Sequence, residues 1–388
     1  MEVESKAFLS IDDLPLDALE HILRFCDGYS YFASQVCSDW RQVVLPWGDL
    51  KEKFLDMCFE KGLPCVAKLP GSCFTIPRLQ SLVKIENIDL LRVANQRANY
   101  IFICQDLAAE HGSLKVLQWY KKEIGEISSC RVGRVAASRG HWHVVDWLIE
   151  KGFYLDDEVI AGAAEFGSLE MVLKLKANDC PWAKNVCESA AVKGHLSVLQ
   201  YLRSNPENLC PWDEKTSCKA AEGGSLEVMK WLKEQDCPWD PQIPTILAMK
   251  GHFEALRWEM ENGGQWNVKI FNWIAGNGDL EVLKWAWESK CPYDNSFTSS
   301  AAFSGHLHIL KWAVHEGFSL APNCIDSAFQ GGGHFETLRW LRKQGHPWPK
   351  KTEFFLLRLD EKVREWAVEN GCPDSYFRTG FIPEIMGN

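Results

Sequence analysis

The sequence predicts an all-α chain, a solenoid of stacked helix-turn-helix repeats, and three observations carry that prediction. First, one string recurs along most of the 388 residues: Ala220-Ala221-Glu222-Gly223-Gly224-Ser225-Leu226-Glu227-Val228-Met229-Lys230-Trp231-Leu232, closed by Cys237-Pro238-Trp239-Asp240. Its anchor glycine returns at Gly112, Gly140, Gly167, Gly194, Gly224, Gly251, Gly278, Gly305 and Gly333, in steps of 28, 27, 27, 30, 27, 27, 27 and 28 residues. Second, Leu226, Met229 and Leu232 recur every third residue with Val228 and Trp231 beside them, an apolar stripe of helical period. Third, a content of 46% hydrophobic and 24% charged residues is that of an ordinary globular chain, with enough apolar surface to fold.

Each unit divides into two helices. The paired alanines before the glycine suit a short first helix packed closely on its neighbours, and the glycine supplies a tight turn that a β-carbon would strain. The amphipathic stripe is the second helix. Cys-Pro-Trp-Asp then closes the unit, because proline interrupts the helix and Asp can cap the next one. A tenth copy without glycine, Leu359 to Ala367, keeps its tryptophan in register at Trp366, and Ile88 to Val93 keeps only the apolar pattern. Degenerate end copies are expected of capping units, which face water on one side.

Charge and composition narrow the function. With 42 Lys plus Arg against 52 Asp plus Glu, the net charge of -10 opposes a phosphate backbone, so nucleic acid is not an expected partner. Every apolar run is broken by charge short of a membrane span, and the opening Met-Glu-Val-Glu-Ser-Lys lacks the basic start and apolar core of a secretory signal. No membrane is therefore expected, and a cytoplasmic or nuclear location is. Fifteen cysteines without a Cys-x-x-Cys pair read as reduced, mostly buried thiols.

The pattern Ala-Ala-x-x-Gly-His/Ser-Leu-x-Val-Leu-x-Trp-Leu resembles the ankyrin repeat over residues 79–374, with residues 375–388 as a tail. It departs from that family in a period near 27 and in lacking the Thr-Pro-Leu-His opening. The resemblance implies helix pairs without the projecting hairpin finger, and a protein target held chiefly on the first-helix face. Residues 11–44 fit none of this. They read Leu14-Pro15-Leu16-Asp17-Ala18-Leu19-Glu20-His21-Ile22-Leu23-Arg24-Phe25, then Val36-Cys37-Ser38-Asp39-Trp40-Arg41, and this segment resembles an F-box, apart from Tyr29 to Ala33 in place of a leucine-centred middle. That resemblance implies docking on the linker subunit of a cullin-RING ubiquitin ligase through Leu14, Pro15, Leu19, Ile22, Leu23, Val36, Cys37 and Trp40. The same apolar side chains also suit a helical cap of the array. Residues 45–78, marked by Leu63-Pro64, Leu69-Pro70 and Ile76-Pro77, form a connector with one helix expected over Lys51 to Lys61.

No catalytic residue, cofactor or metal is expected. Eight of the 18 tryptophans (119, 147, 231, 258, 285, 312, 340 and 366) share one repeat position and five (182, 212, 239, 266 and 348) another, which predicts a ladder buried between stacked units rather than a ligand site. Cys180, Cys210, Cys237, Cys291 and Cys372 share a position where Gly264, Phe318 and His346 substitute, and interchange with glycine and phenylalanine argues against a metal or redox task. Cys187, Cys218 and Cys324 read as packing thiols. His141, His195, His252, His306 and His334 follow the anchor glycine, alternating with Ser and Asp, and predict caps of the second helix. Gly331-Gly332-Gly333 lacks the lysine and preceding strand of a phosphate loop and reads as a lengthened turn. Target specificity is expected where copies differ, in the pair before the anchor glycine: His111, Arg139, Phe166, Lys193, Lys250 and Phe303 are the candidates. The leading reading is a non-catalytic, substrate-recruiting adaptor of a ubiquitin ligase; the alternatives are a scaffold or host-interaction protein, and a thiol or metal enzyme built on the cysteine and histidine ladders.

Overall fold

A computed structural model describes residues 56, 59–61, 74–98, 101–204, 209–349 and 360–372. The F-box-like segment 11–44 and its eight candidate residues lie outside these. Among the described residues every regular element is an α-helix, there is no strand, and no helix is long and apolar enough to cross a membrane. The chain divides into two compact units, residues 1–186 and 187–388.

The first unit contains α1 (Ile76–Lys84), α2 (Ile88–Ala98), α3 (Ile101–His111), α4 (Leu114–Glu123), α5 (Ser129–Ser138), α6 (Trp142–Glu150), α7 (Asp157–Phe166) and α8 (Leu169–Ala177). The division falls within α9 (Lys184–Lys193). The second unit continues with α10 (Leu196–Leu202), α11 (Glu214–Gly223), α12 (Leu226–Glu234), α13 (Ile243–Lys250), α14 (Phe253–Glu261), α15 (Val268–Asn277), α16 (Leu280–Glu288), α17 (Ser296–Phe303), α18 (Leu307–His315), α19 (Cys324–Gln330), α20 (Phe335–Lys343) and α21 (Glu361–Glu369). Paired helices pack on each other, as α3 on α4, α5 on α6, α13 on α14 and α17 on α18, and within each unit first helix stacks on first helix: α3 on α5 on α7, and α11 on α13 on α15 on α17 on α19.

Small residues make that stacking close. Ala136, Ala137, Ala163, Ala164, Ala220, Ala221, Ala301 and Ala302 are fully buried, and a β-carbon on Gly162 would stand 2.6 Å from the Arg134 carbonyl. The Asp or Asn closing each unit caps the next first helix, as Asp156 accepts from Glu158 N, Asp213 from Lys215 N and Asn267 from Ile270 N. The cysteine ladder is the plug at the other helix end. Cys180, Cys237 and Cys291 each follow a residue with left-handed φ (Asp179, Asp236, Lys290), and their amides bond back to Leu175, Leu232 and Ala286. Their thiols approach the carbonyls of Asp156, Asp213 and Asn267, so any small or apolar side chain serves. At the N-terminal end Phe59 meets Phe74 edge-on at 5.2 Å, and Arg78 of α1 bonds Asp56 at 2.7 Å; most of the expected connector helix lies outside the described residues.

Two expectations are corrected. The histidines do not cap their own helices. Ser168, Ser225 and Asp279 do, each accepting from the amide three residues on, whereas His141, His252, His306 and His334 make no cap bond. Their Nε2 instead donates across to the preceding unit, to the carbonyls of Glu110, Glu222, Gly276 and Phe303 at 2.8, 3.0, 3.1 and 3.1 Å. An imidazole is too long for its own first-turn amides but spans the gap to the carbonyls left free where the preceding first helix ends. The ring lies on the anchor glycine of that preceding unit: a β-carbon on Gly224 would stand 2.3 Å from His252 Nδ1. The glycine is thus required twice, for its φ of 72° and for the ring above it.

The tryptophans are likewise not all buried. Trp119, Trp147 and Trp312 are, while Trp231, Trp258, Trp285, Trp340 and Trp366 are half-exposed. The first helices carry most of the contact between successive pairs, leaving the second helices less covered. The two tryptophan positions pair with each other there, at 5.9 Å for Trp212 and Trp231, 6.4 Å for Trp239 and Trp258, 5.1 Å for Trp266 and Trp285, and 5.7 Å for Trp348 and Trp366. Cations cover several rings, among them Lys176 over Trp182 at 4.2 Å, Arg203 over Trp212 at 4.0 Å and Arg342 over Trp348 at 4.5 Å.

Candidate protein-interaction site

Second helices spend their aromatic residues on this ladder, so the surface open to a partner is the outward side of the first helices. Positions two, five, six and nine before the anchor glycine fall on one side of such a helix. In the first unit this side is filled with ion pairs. Arg131 of α5 meets Asp106 of α3 at 2.6 Å, Arg139 meets Glu110 at 2.9 Å, and Arg134 pairs with Glu158 and, at 3.7 Å, Glu165 of α7. Burial raises the Asp106 pKa despite Arg131, placing this carboxylate in a partly dry setting.

In the second unit the surface changes at α13. Thr245 and Met249 of α13, Lys269, Asn272 and Trp273 of α15, and Ser300 and Phe303 of α17 replace the ion pairs. Met249, Trp273 and Phe303 are 39%, 43% and 49% exposed. Two adjoining open depressions of about 470 and 420 Å³ lie here, both lined by Thr245 and Lys269, the first completed by Gln242, Asn267 and Val268 and the second by Asn272, Trp273 and Ser300. Lys250 and Lys269 have no ion-pair partner among the described residues.

The six candidates from the repeat comparison scatter over both surfaces. Arg139 is held by Glu110, and His111 Nε2 is 2.9 Å from Gln80 Nε2, its pKa lowered first by burial. Phe166 is exposed but lies edge-on to Trp142 at 5.0 Å and covers Gly140. Lys193 is exposed on α9, and Lys250 and Phe303 border the open surface. The repeat comparison missed Trp273, Lys269 and Asn272. The signal was present, since Trp273 fits neither tryptophan register.

Several of the described thiols are held in the protonated form. Burial pushes Cys104 up to about 11 and Cys180, Cys237 and Cys291 up to about 12; Cys218 reaches about 12 through burial and then Asp240, and Cys324 is raised by burial. Cys187 is raised by its hydrogen bond with Cys210 and then by burial. Among the described residues no group of His, Cys, Asp and Glu is arranged to hold a metal ion.

No curated protein matches this chain. Among solved structures it is similar to the pentatricopeptide repeat protein PPR10 from maize, at 12% identity and a TM-score of 0.36, covering 94% of this chain and 65% of that one. It is also similar to PPR10 in complex with an 18-nucleotide psaJ RNA element, and to a cysteine-to-serine variant of that complex. Both stand at 13% identity and a TM-score of 0.39, covering 94% of this chain and 63% of the other. This chain thus spans less than two thirds of those proteins' length. Residues 11–45 match the family model of the F-box domain, so the chain carries an F-box domain followed by an array of helical repeats.

Proposed function

We propose that this protein is a substrate-recruiting adaptor of a cullin-RING ubiquitin ligase, non-catalytic itself, with residues 11–45 docking the ligase linker subunit and the repeat array holding a protein target. The observation that carries this reading is the joining in one chain of an F-box match to an array of helical repeats. An F-box tethers, and an array offers a surface that varies from copy to copy on a constant frame. Docking of this kind is apolar, and its central residues are binding hot spots whose truncation costs about 2 kcal/mol or more, roughly thirtyfold in affinity.

The test is co-purification of the linker subunit with the wild-type chain and with Leu19→Ala plus Ile22→Ala, with thermal melting as a control. Loss of the subunit from a variant whose array still melts as wild type supports the adaptor. If wild type captures no linker subunit, or if the double variant unfolds the first pairs, residues 11–45 cap the array and the protein is a scaffold.

A further inference from the structure

We infer that the outward side of α13, α15 and α17 recognises a short acidic segment bearing large apolar side chains, presented by the protein target. The inference deepens the target-binding half of the adaptor reading and does not depend on the F-box.

Charge is the first argument. Helices α13, α15 and α17 have 8, 10 and 8 residues, contain no Asp or Glu, and carry two cations, Lys250 and Lys269. This local excess of positive charge stands in a chain of net charge -10. Charges beyond a Debye length of about 8 Å are largely screened at physiological salt, so a partner in contact with these helices meets their two lysines rather than the net charge of the whole chain. Asp240, Asp279 and Asp294, which flank these helices in sequence, are engaged by the amides of Gln242, Val282 and Ser296. Lys269 lines both depressions, so a carboxylate seated in either one meets the same ammonium.

The apolar side chains are the second argument. A single exposed aromatic is ordinary, but Met249, Trp273 and Phe303 stand on three successive first helices at positions two or five before the anchor glycine. Tryptophan is a preferred hot-spot anchor, and methionine adapts to the shape of what it meets. Asn272 Nδ2 donates to Ser296 Oγ at 2.6 Å, which ties α15 to α17 beneath this surface. Two cations are few for a nucleic acid, whose affinity grows with the number of phosphates neutralised.

The test is selection of a phage-displayed random twelve-residue peptide library on the immobilised full-length chain. Trp273→Ala plus Phe303→Ala serves as the counter-selection. Enriched peptides are expected to combine Asp or Glu with Trp, Phe, Leu or Met. Fluorescein-labelled copies read by anisotropy are expected to lose tenfold or more in affinity with Lys250→Glu plus Lys269→Glu, and none with Arg134→Glu. The inference is overturned if nothing is enriched over the counter-selection, if the peptides are neutral or basic, or if charge reversal leaves their affinity unchanged. It is also overturned if a single-stranded RNA twelve-mer displaces them, or if sedimentation shows a dimer of this chain that Trp273→Asp dissociates. Linker-subunit capture by the charge-reversed variant reports on the ligase reading separately, because that capture uses residues 11–45 alone.

Discussion

Helices α3, α5 and α7 of the first unit and α13, α15 and α17 of the second share one plan beneath the surface and differ above it. Both sets stack through buried small residues, and in both a left-handed glycine ends a helix under the imidazole of the next repeat, as at Gly112 and Gly278. Outwardly, the first set joins its helices by ion pairs from Asp106, Glu110, Arg131, Arg134 and Arg139 to their partners, whereas the second presents Met249, Trp273 and Phe303 with two unpaired lysines. A surface whose charges are already matched offers little to a charged partner. One whose charges and apolar groups lack partners gains by acquiring one. Repetition thus fixes the frame and frees the surface.

The largest expected effect breaks what the two sets share. Gly224→Ala is expected to lose about 2–3 kcal/mol, combining left-handed strain of about 1–2 kcal/mol with displacement of the His252 staple. Guanidinium unfolding measures it. In a His252→Ala background the same substitution should cost only the strain, and equal costs in both backgrounds would break the claim that ring and glycine are matched.

Next is the buried carboxylate of α14. Glu259 accepts from Trp239 Nε1 at 3.0 Å and from Lys233 at 3.3 Å and is itself almost fully buried. Glu259→Ala is expected to cost about 2 kcal/mol, since hydrogen bonds to a buried charged group are each worth about 1.5–3 kcal/mol and Lys233 is partly exposed. Its counterpart in the first unit, Glu123, binds Trp119 Nε1 at 2.8 Å and Arg92 at 2.8 Å but faces solvent. Glu123→Gln should cost less, and should lose its effect in 1 M salt where the screening length is about 3 Å.

Smaller again is charge reversal on the ion-paired side. Arg134→Glu is expected to destabilise the first unit by about 1 kcal/mol at low salt and less at high salt, since its pairs are half-exposed. Lys269→Glu, with no partner to lose, should change the melting temperature little. Equal effects would erase the contrast between the two surfaces.

Protonation tests the staples. Burial lowers the pKa of His306, and also of His111 and His346. A lowered folded value means the unfolded chain takes up the proton first, so this stability is complete above the unfolded value of about 6.5 and is lost as pH falls through the folded ones. Melting temperature should therefore fall between pH 7.5 and 5, less steeply in His306→Gln. Glu123 acts lower: Arg92 holds it at about 2, so its contribution is present above 4.5 and fades toward pH 2.

The smallest expected effect on stability is the most telling for function. Trp273→Ala and Phe303→Ala should each shift unfolding by no more than about 0.5 kcal/mol, as exposed positions do. A loss of several kcal/mol from either would mean the side chain is part of the core and not a free surface.

Much of this was legible in the sequence because a repeat averages over its own copies. The anchor glycine marks a helix boundary nine times over, the alanine pair precedes it in six of those copies, an apolar stripe of one period follows it in each, and Cys-Pro-Trp-Asp marks the cap that follows. What repetition cannot show is direction. His252 and Ser225 occupy one register, yet Ser225 Oγ turns inward to the Val228 amide while the longer imidazole reaches the preceding unit. Likewise the two tryptophan registers read as separate rungs until stacking brings each pair together.

The amino-acid sequence by itself determined the helical unit, its period and its caps, because those depend on neighbours within a turn or two of chain. It also carried the F-box match, which is a pattern of residues. Only the tertiary structure decided which side chains bridge successive units and which of two chemically unlike surfaces stays open. Whether Arg131 is spent on Asp106, or Trp273 is left uncovered, depends on what the adjacent first helix brings opposite it some 25 residues away, a distance over which local sequence sets no contact.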